Sequence, residues 1–281
     1  MEGFPRISIV TPCFNSVRYI ETTVKSVLEQ DYPNLEYIVM DGGSTDGTVQ
    51  ILKNFAAQSL YKNRFRWTSE RDNGQTDAIN KGLALSRGDW FAFLNASDSY
   101  EPGVFSRMAP MFLQYRDKGV LYGNCHVVYG SACSDVQNTL IPPRKVTFEA
   151  MSKGNLVLGP SSFYNMAAIR KVGEFDDELD YWMDYDMYLR ISKIMEFQYV
   201  DIFIASFRIS GNQKSMSNLD DPKRYKRFQK EAYEVWLKNG GSYFSTLFLR
   251  RFSLFHKLYF LVNELNKSPH FEALKKVGIL R

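Results

Sequence analysis

Residues 69–90, Ser69-Glu-Arg-Asp72-Asn-Gly74-Gln-Thr-Asp-Ala78-Ile-Asn80-Lys81-Gly82-Leu-Ala-Leu-Ser-Arg-Gly-Asp-Trp90, decide the fold class. They set an acidic, glycine-containing turn directly before a short helical stretch, and a second turn before an apolar strand. An α/β sheet presents a pocket at its strand ends in this way. Upstream, Tyr37-Ile-Val-Met-Asp41-Gly-Gly-Ser-Thr-Asp46-Gly-Thr48 repeats the form, with a buried-type strand closing on an aspartate and a Gly/Ser turn opening a helix.

Outward from these turns, the first hundred residues alternate. Strands are expected at Ile7–Thr11, Leu35–Asp41, Phe65–Glu70 and Trp90–Asn95, with helices Ile20–Gln30, Thr48–Leu60 and Thr76–Ser86 between them. Such alternation implies parallel strands joined by right-handed crossovers. From Val120 the pattern changes to extended segments, Val120–Val128, Ser162–Asn165 and Phe203–Ile209, separated by a loop rich in Ser, Asn and Pro and by short helices. A mixed sheet is the expected result, with a boundary near Asn218–Pro222, where the composition turns basic.

The 281 residues are 44% hydrophobic and 23% charged, enough apolar side chain for one large domain with an extension. Cys13, Cys125 and Cys133 form no Cys-x-x-Cys pair, so neither a disulfide framework nor a zinc site is indicated. The amino terminus lacks the basic start and apolar run of a signal peptide. No apolar stretch reaches the roughly 20 residues that span a bilayer, so a cytoplasmic chain is expected. The net charge of +4 is uneven: residues 1–221 carry 22 basic and 27 acidic side chains, whereas 222–281 carry 13 and 4.

Two further motifs complete the pattern, Ile7-Ser-Ile-Val-Thr11-Pro12-Cys13-Phe14-Asn15 and Trp90-Phe-Ala-Phe-Leu-Asn95-Ala96-Ser97-Asp98. In order and spacing the motifs resemble the family 2 glycosyltransferases with the A-type nucleotide-sugar fold, over roughly residues 5–210. The resemblance implies a Rossmann-like mixed central sheet flanked by helices. It divides the chain into a catalytic domain, 1–218, and a helical C-terminal extension, 219–281. Residues 1–100 form the nucleotide-binding half and 101–218 the acceptor-side half.

At the first strand's end, Pro12 is expected to break the strand, after which the backbone and Asn15 meet a base or ribose edge and Phe14 supplies apolar contact. Asp41, at a strand terminus, suits ribose hydroxyls or a uracil-type N–H. Asp46 reads as a turn or cap residue. In the family the aspartate matching Asp72 lines the nucleoside pocket; its local reading is an Asx turn. Lys81 either reaches a phosphate or carboxylate or is a solvated helix lysine, and Gly82 permits close helix packing. With Thr11, Gly74, Ala78, Asn80, Asn95 and Ala96, these make the expected nucleotide-binding set.

The family usually carries Asp-x-Asp where this chain has Asn95-Ala-Ser97, leaving Asp98 as the one carboxylate for Mg²⁺ or Mn²⁺. Farther on, Asp184 matches the family's general base, ahead of Leu189-Arg190; its local reading is the N-cap of a helix Tyr185–Ser192. Met183 stands where an acidic residue is common. Asp186 and Arg190 take supporting places, Asp186 pointing away from Asp184 at helical spacing. In the loop Phe207–Ser217, where relatives frequently have a histidine, Arg208 or Lys214 could meet the diphosphate.

Tyr243–Leu265 reads as a basic, aromatic helix that packs on the catalytic domain, on a second copy, or in an anionic membrane interface at the inner face of the cell membrane. No nucleic-acid reader motif accompanies its charge. The resemblance implies an inverting transferase moving a sugar from a nucleotide-activated donor, a uridine diphosphate sugar, to a glycan or lipid-linked acceptor. Its rivals are a non-catalytic nucleotide-sugar or glycan-binding partner of an active transferase and a sugar nucleotidyltransferase.

Overall fold

A computed structural model describes residues 3–129, 136–151, 154–209 and 221–241. The parallel half contains β1 (Ile7–Cys13), β2 (Leu35–Asp41), β3 (Phe65–Ser69) and β4 (Trp90–Phe93). They are crossed over by α1 (Ile20–Leu28), α2 (Thr48–Ala56) and α3 (Gln75–Leu85). β1 and β2 are buried along their whole lengths, as near-continuous apolar runs in a parallel sheet should be. The remaining elements are β5 (Ser99–Tyr100), α4 (Val104–Gln114), β6 (Val120–Tyr129), β7 (Val136–Leu140), α5 (Phe148–Met151), β8 (Ser162–Asn165), α6 (Met166–Val172), α7 (Met183–Ser192), β9 (Phe197–Ile209) and α8 (Pro222–Lys238).

All nine strands join one sheet in the order β3-β2-β1-β4-β8-β6-β9-β5, with β7 paired to β6. The sheet is mixed as expected. β8 runs antiparallel to β4 and β6, while β9 runs parallel to β6.

Pro12 does not end β1, which continues in register to Cys13 opposite Asp41. The reason lies in the neighbouring strand. Val10 O accepts the Leu94 N–H, so the backbone groups of Val10 face β4, and by the period of two those of Pro12 face the same side. β4 pairs with β1 only as far as Val10, so the proline removes no ladder bond.

Each sheet face has its own core. Ile20 and Val24 of α1, Leu52 of α2 and Phe105 and Met108 of α4 cover one face. Ala78 and Ile79 of α3, Ile169 of α6, Leu189 of α7 and Ala232 and Val235 of α8 cover the other. α3 lies especially close to β1, because a Cβ at Gly82 would fall 2.5 Å from Val10 Cγ1. Gly82 thus serves the close packing its sequence suggested.

Candidate active site

β2 and β4 flank β1, so the strand order changes direction at β1. The crevice beyond the carboxyl ends of such strands is where open α/β sheets bind ligands. Two connections form its rim. Asn15 adopts φ 48°, a left-handed conformation that asparagine tolerates. Its Oδ1 accepts the Thr45 N–H at 2.9 Å, and its own N–H donates to Ser44 Oγ at 2.7 Å. Asp46 is a turn residue that ties the loops, accepting the Val17 N–H at 2.9 Å and the Thr48 N–H at 3.0 Å, while Gly47 is the N-cap of α2. The β1–α1 and β2–α2 loops are stitched together, and Phe14 projects from them with 62% of its surface exposed.

Asp41 ends β2 only 2% exposed. Its Oδ2 accepts N–H groups of Gly43 at 3.2 Å and Ser44 at 3.0 Å and the Ser69 hydroxyl at 2.6 Å, while Oδ1 accepts the Ser44 hydroxyl. Burial pushes the carboxyl up, but the Ser44 and Ser69 donors outweigh it and hold it below the usual carboxylate range. Asp41 therefore organises the glycine turn from within. Asp72 reaches the same place from β3: its carboxylate lies over Gly42, where a Cβ would fall 2.7 Å from Oδ2. The Asx turn is also present, Asp72 Oδ1 accepting the Gly74 N–H at 2.9 Å.

Other members of the expected nucleotide set are distributed differently. Thr11 is buried and its hydroxyl accepts the Tyr37 O–H at 3.0 Å. Ala78 lies in the core, and Ala96 is buried with its carbonyl accepting the Thr23 hydroxyl at 3.0 Å. Lys81 is held at the rim by Glu70 at 3.5 Å and Asp77 at 3.3 Å. Asn80 is turned to the other half of the molecule: its amide donates to Phe175 O at 2.8 Å and accepts the Phe175 N–H at 3.1 Å.

Beyond β4, Asp98 is 1% exposed. Its Oδ1 accepts the Arg208 backbone N–H at 3.0 Å, while Oδ2 is buried with no hydrogen-bond partner among the described residues. Burial pushes the carboxyl up to about 7. The guanidinium groups of Arg208 and Arg18 lie over the Tyr19 ring, 5.6 and 5.4 Å from its centroid, and put positive charge at this edge. Among the described residues no three His, Cys, Asp or Glu side chains cluster as metal ligands. Lys214 and the stretch 243–265 lie outside the described residues.

α7 begins at Met183, with Trp182 at its N-cap and no side-chain cap bond. Asp184 is accordingly not the cap that the local reading expected. It stands inside the first turn, where a carboxylate complements the helix dipole. Its Oδ2 accepts the Asn155 amide at 3.1 Å and its Oδ1 the Tyr185 N–H at 2.7 Å. Burial pushes its carboxyl up to about 6. A Cβ at Gly159 would lie 3.2 Å from the Phe93 ring and 3.8 Å from Asp184 Oδ2, which places the carboxylate at the carboxyl end of β4. Consecutive residues of α3 tie this helix to the segment after β4 and to the start of α7. Gln75 donates to Asn95 Oδ1 at 2.7 Å, and the Thr76 hydroxyl to Met183 Sδ at 2.9 Å.

Asp186 faces the other way, as its spacing implies. Fully buried, it accepts Arg190 Nε at 2.7 Å and the Asn239 amide at 2.9 Å, and Arg190 also donates to the carbonyls of Val172 and Glu174 at 2.8 and 2.9 Å. With Asn80 and Lys238 they line a separate cavity of about 460 Å³. Three supports of α7 escape sequence reasoning: Asn155 on Asp184, Asn239 on Asp186, and Glu231. Glu231 of α8 is 8% exposed and accepts the N–H groups of Tyr181 and Trp182 at 2.6 and 3.0 Å, fixing the entry to α7.

A mixed sheet of nine described strands, with acidic turns at the ends of its parallel strands and a half-buried carboxylate beside β4, has the arrangement of an A-type glycosyltransferase fold. The family model "Glycosyl transferase family 2" matches residues 8–171, and the chain belongs to that family. The match includes the rim, Asp41, Asp72 and Asp98 and ends before Asp184. A chondroitin synthase of Escherichia coli is 27% identical over 222 residues, covering 78% of this chain and 31% of the relative. An uncharacterised glycosyltransferase of Mycobacterium tuberculosis is 27% identical over 214 residues, covering 75% of this chain and 78% of the relative. The chain thus spans about a third of the synthase's length. Among solved structures, the mannosyltransferase PcManGT from Pyrobaculum calidifontis, in complex with GDP-Man and Mn²⁺, gives a TM-score of 0.63 at 15% identity, covering 99% of this chain and 80% of that one. TarS of S. aureus in complex with UDP-GlcNAc gives 0.58 at 19% identity, covering 80% and 66%.

Proposed function

We propose that this glycosyltransferase is inverting and moves a sugar from a uridine diphosphate donor to a hydroxyl of a glycan or lipid-linked acceptor. The observation that carries the reading is Asp184, a half-buried carboxylate with a raised pKa beside the carboxyl end of β4, braced by Asn155. A hydroxyl is a poor nucleophile at neutral pH, and a positioned base with a pKa near 6 is deprotonated in most molecules at pH 7. In a single displacement the acceptor oxygen bonds to the anomeric carbon, its proton passes to Asp184, and the bond to the diphosphate breaks with its electron pair on the leaving group. The Arg208 and Arg18 side chains stabilise that departing charge.

Asp98 fits a divalent cation shared with the diphosphate, because its buried Oδ2 has no partner among the described residues and one carboxylate plus phosphates and waters suffices for Mg²⁺. Asp98 would hold the ion, which supplies positive charge at the leaving group. Asp41, through its turn, and Asp72, with Phe14, shape the nucleoside site. The UDP-GlcNAc bound to TarS supports a uridine donor, the chondroitin synthases support a growing polysaccharide as acceptor, and the mannosyltransferase with GDP-Man and Mn²⁺ makes guanosine donors the competing class. The reading keeps the basic stretch 243–265 as the part that meets a membrane or a second copy.

The test is a thermal-shift screen of UDP and GDP sugars with and without Mn²⁺, followed by transfer to candidate glycans with the anomeric configuration read by NMR. A donor at 100 times its Kd should stabilise the fold by about 2.7 kcal/mol. Retention of configuration in the product would overturn the mechanism.

A further inference from the structure

At the opposite edge of the parallel sheet, where the strands begin, Arg6, Glu36, Asn63, Arg64, Arg66 and Arg87 line a cavity of about 180 Å³. Arg6 immediately precedes β1, Glu36 is the second residue of β2, Arg64 and Arg66 bracket the start of β3, and Arg87 precedes β4. At about 3.3 Å per residue, a seven-residue strand separates this edge from the crevice by roughly 20 Å. It is therefore neither a donor nor an acceptor subsite.

Glu36 does not account for so much positive charge. Its carboxylate is already met by Ser8 Oγ at 2.6 Å, Arg66 at 2.6 Å, Arg6 at 3.2 Å and the Arg87 backbone N–H at 2.8 Å. Four arginines against one glutamate leave the lining at +3, and Asp89, which accepts the Arg6 backbone N–H at 2.8 Å, lowers the neighbourhood only to +2. Arg64 stacks on Tyr61, 5.6 Å from the ring centroid, and its Nε is buried without a hydrogen-bond partner. An unmet buried donor is costly and points to an acceptor that belongs there.

We propose that this pocket is a second, anion-binding site for a phosphate-type oxyanion, either a free phosphate or diphosphate or the terminal phosphate of a larger molecule such as a phospholipid headgroup. Guanidinium forks match the several oxygens of a phosphate group. A multiply charged phosphate balances the excess charge better than a single carboxylate. The volume lies below the about 300 Å³ at which pockets begin to enclose whole drug-sized ligands, so the site takes a small group and not a nucleotide.

The test titrates the full chain with inorganic pyrophosphate by calorimetry in metal-free buffer at constant ionic strength, beside an Arg64→Ala/Arg87→Ala variant. Among the described residues neither side chain is paired with a carboxylate, so the variant should fold and bind nucleotide sugars as the parent does. Pyrophosphate should bind the parent with UDP already saturating, and roughly tenfold or more weakly to the variant, because charge-assisted bonds are lost. No binding to the parent, equal affinity in the variant, or displacement by UDP would each overturn the site. Flotation with phosphatidylcholine vesicles, with and without phosphatidic acid, separates the sources. Phosphatidic-acid-dependent binding weakened in the variant assigns the headgroup, and unchanged vesicle binding with weakened pyrophosphate binding assigns the free anion.

Discussion

Replacing Asp184 by Asn is expected to stabilise the protein at neutral pH while stopping transfer. Holding the carboxyl at about 6 instead of 3.8 costs the ionised form about 3 kcal/mol at 1.36 kcal/mol per pH unit. A solvent-facing edge reduces this to about 2 kcal/mol. The folded state binds the proton more tightly than the unfolded chain, so stability falls as pH rises from about 4 to about 6, and the whole cost is present above that window. The amide removes this cost but weakens the bond from the Tyr185 N–H, at about 1 kcal/mol. The net gain at pH 7.5 is about 1 kcal/mol, a rise in Tm of roughly 2–4 °C, and it disappears at pH 4.5, where the parent's carboxyl is protonated. Thermal unfolding at both pH values gives the stability arm. Transfer should fall by about 10²–10⁴, and the parent's kcat/KM should lose activity on the acid side with an inflection at about 6. Near-normal transfer by the folded variant, or equal destabilisation at both pH values, would refute the reasoning.

Asp41→Ala and Asp72→Ala should each weaken nucleoside diphosphate binding by calorimetry even without the sugar, Asp41 by releasing the Gly43–Ser44 turn; unchanged affinity in both would displace the nucleoside site. Mn²⁺ should raise donor affinity in the parent and not in Asp98→Ala, whose metal-free affinity should stay similar, because one carboxylate holds a hard cation only together with the diphosphate. Glu231→Gln should lower kcat with little change in donor Kd, since it loosens the entry to α7 and leaves the nucleotide rim alone; an equal fall in donor affinity would contradict that separation.

The parallel half is legible because its signals are local. A buried run closing on Asp41 and a shorter, mostly exposed strand closing on Ser69, with turn residues after them, name strand, turn and helix within a dozen positions. Legibility fails where the decisive neighbour is distant. Nothing near Pro12 reveals that β4 stops pairing at Val10, and Phe197–Ile202, with Gln198 and Asp201 among its apolar residues, does not announce itself as the beginning of a long β9. Asp184 stands out by its place before Leu189-Arg190. Its supports do not, because Asn155 lies 29 positions earlier and Glu231 lies 49 positions after Trp182. Asn80 sits in the motif read as nucleotide-binding, yet a backbone 95 positions away takes both ends of its amide.

The docking of α8 on α7 also sets an order of events as the chain leaves the ribosome. The nucleotide half closes early, from contacts among its first hundred residues. α7, with Asp184, must wait for Phe228, Glu231, Trp236 and Asn239 to emerge before its entry is bonded and its outer face covered. A nascent chain stopped short of Pro222 would therefore hold the parallel strands β1–β4 paired beside an uncovered apolar helix. On the proposed reading, the carboxylate assigned as base would be set in place after the strand ends assigned to the donor.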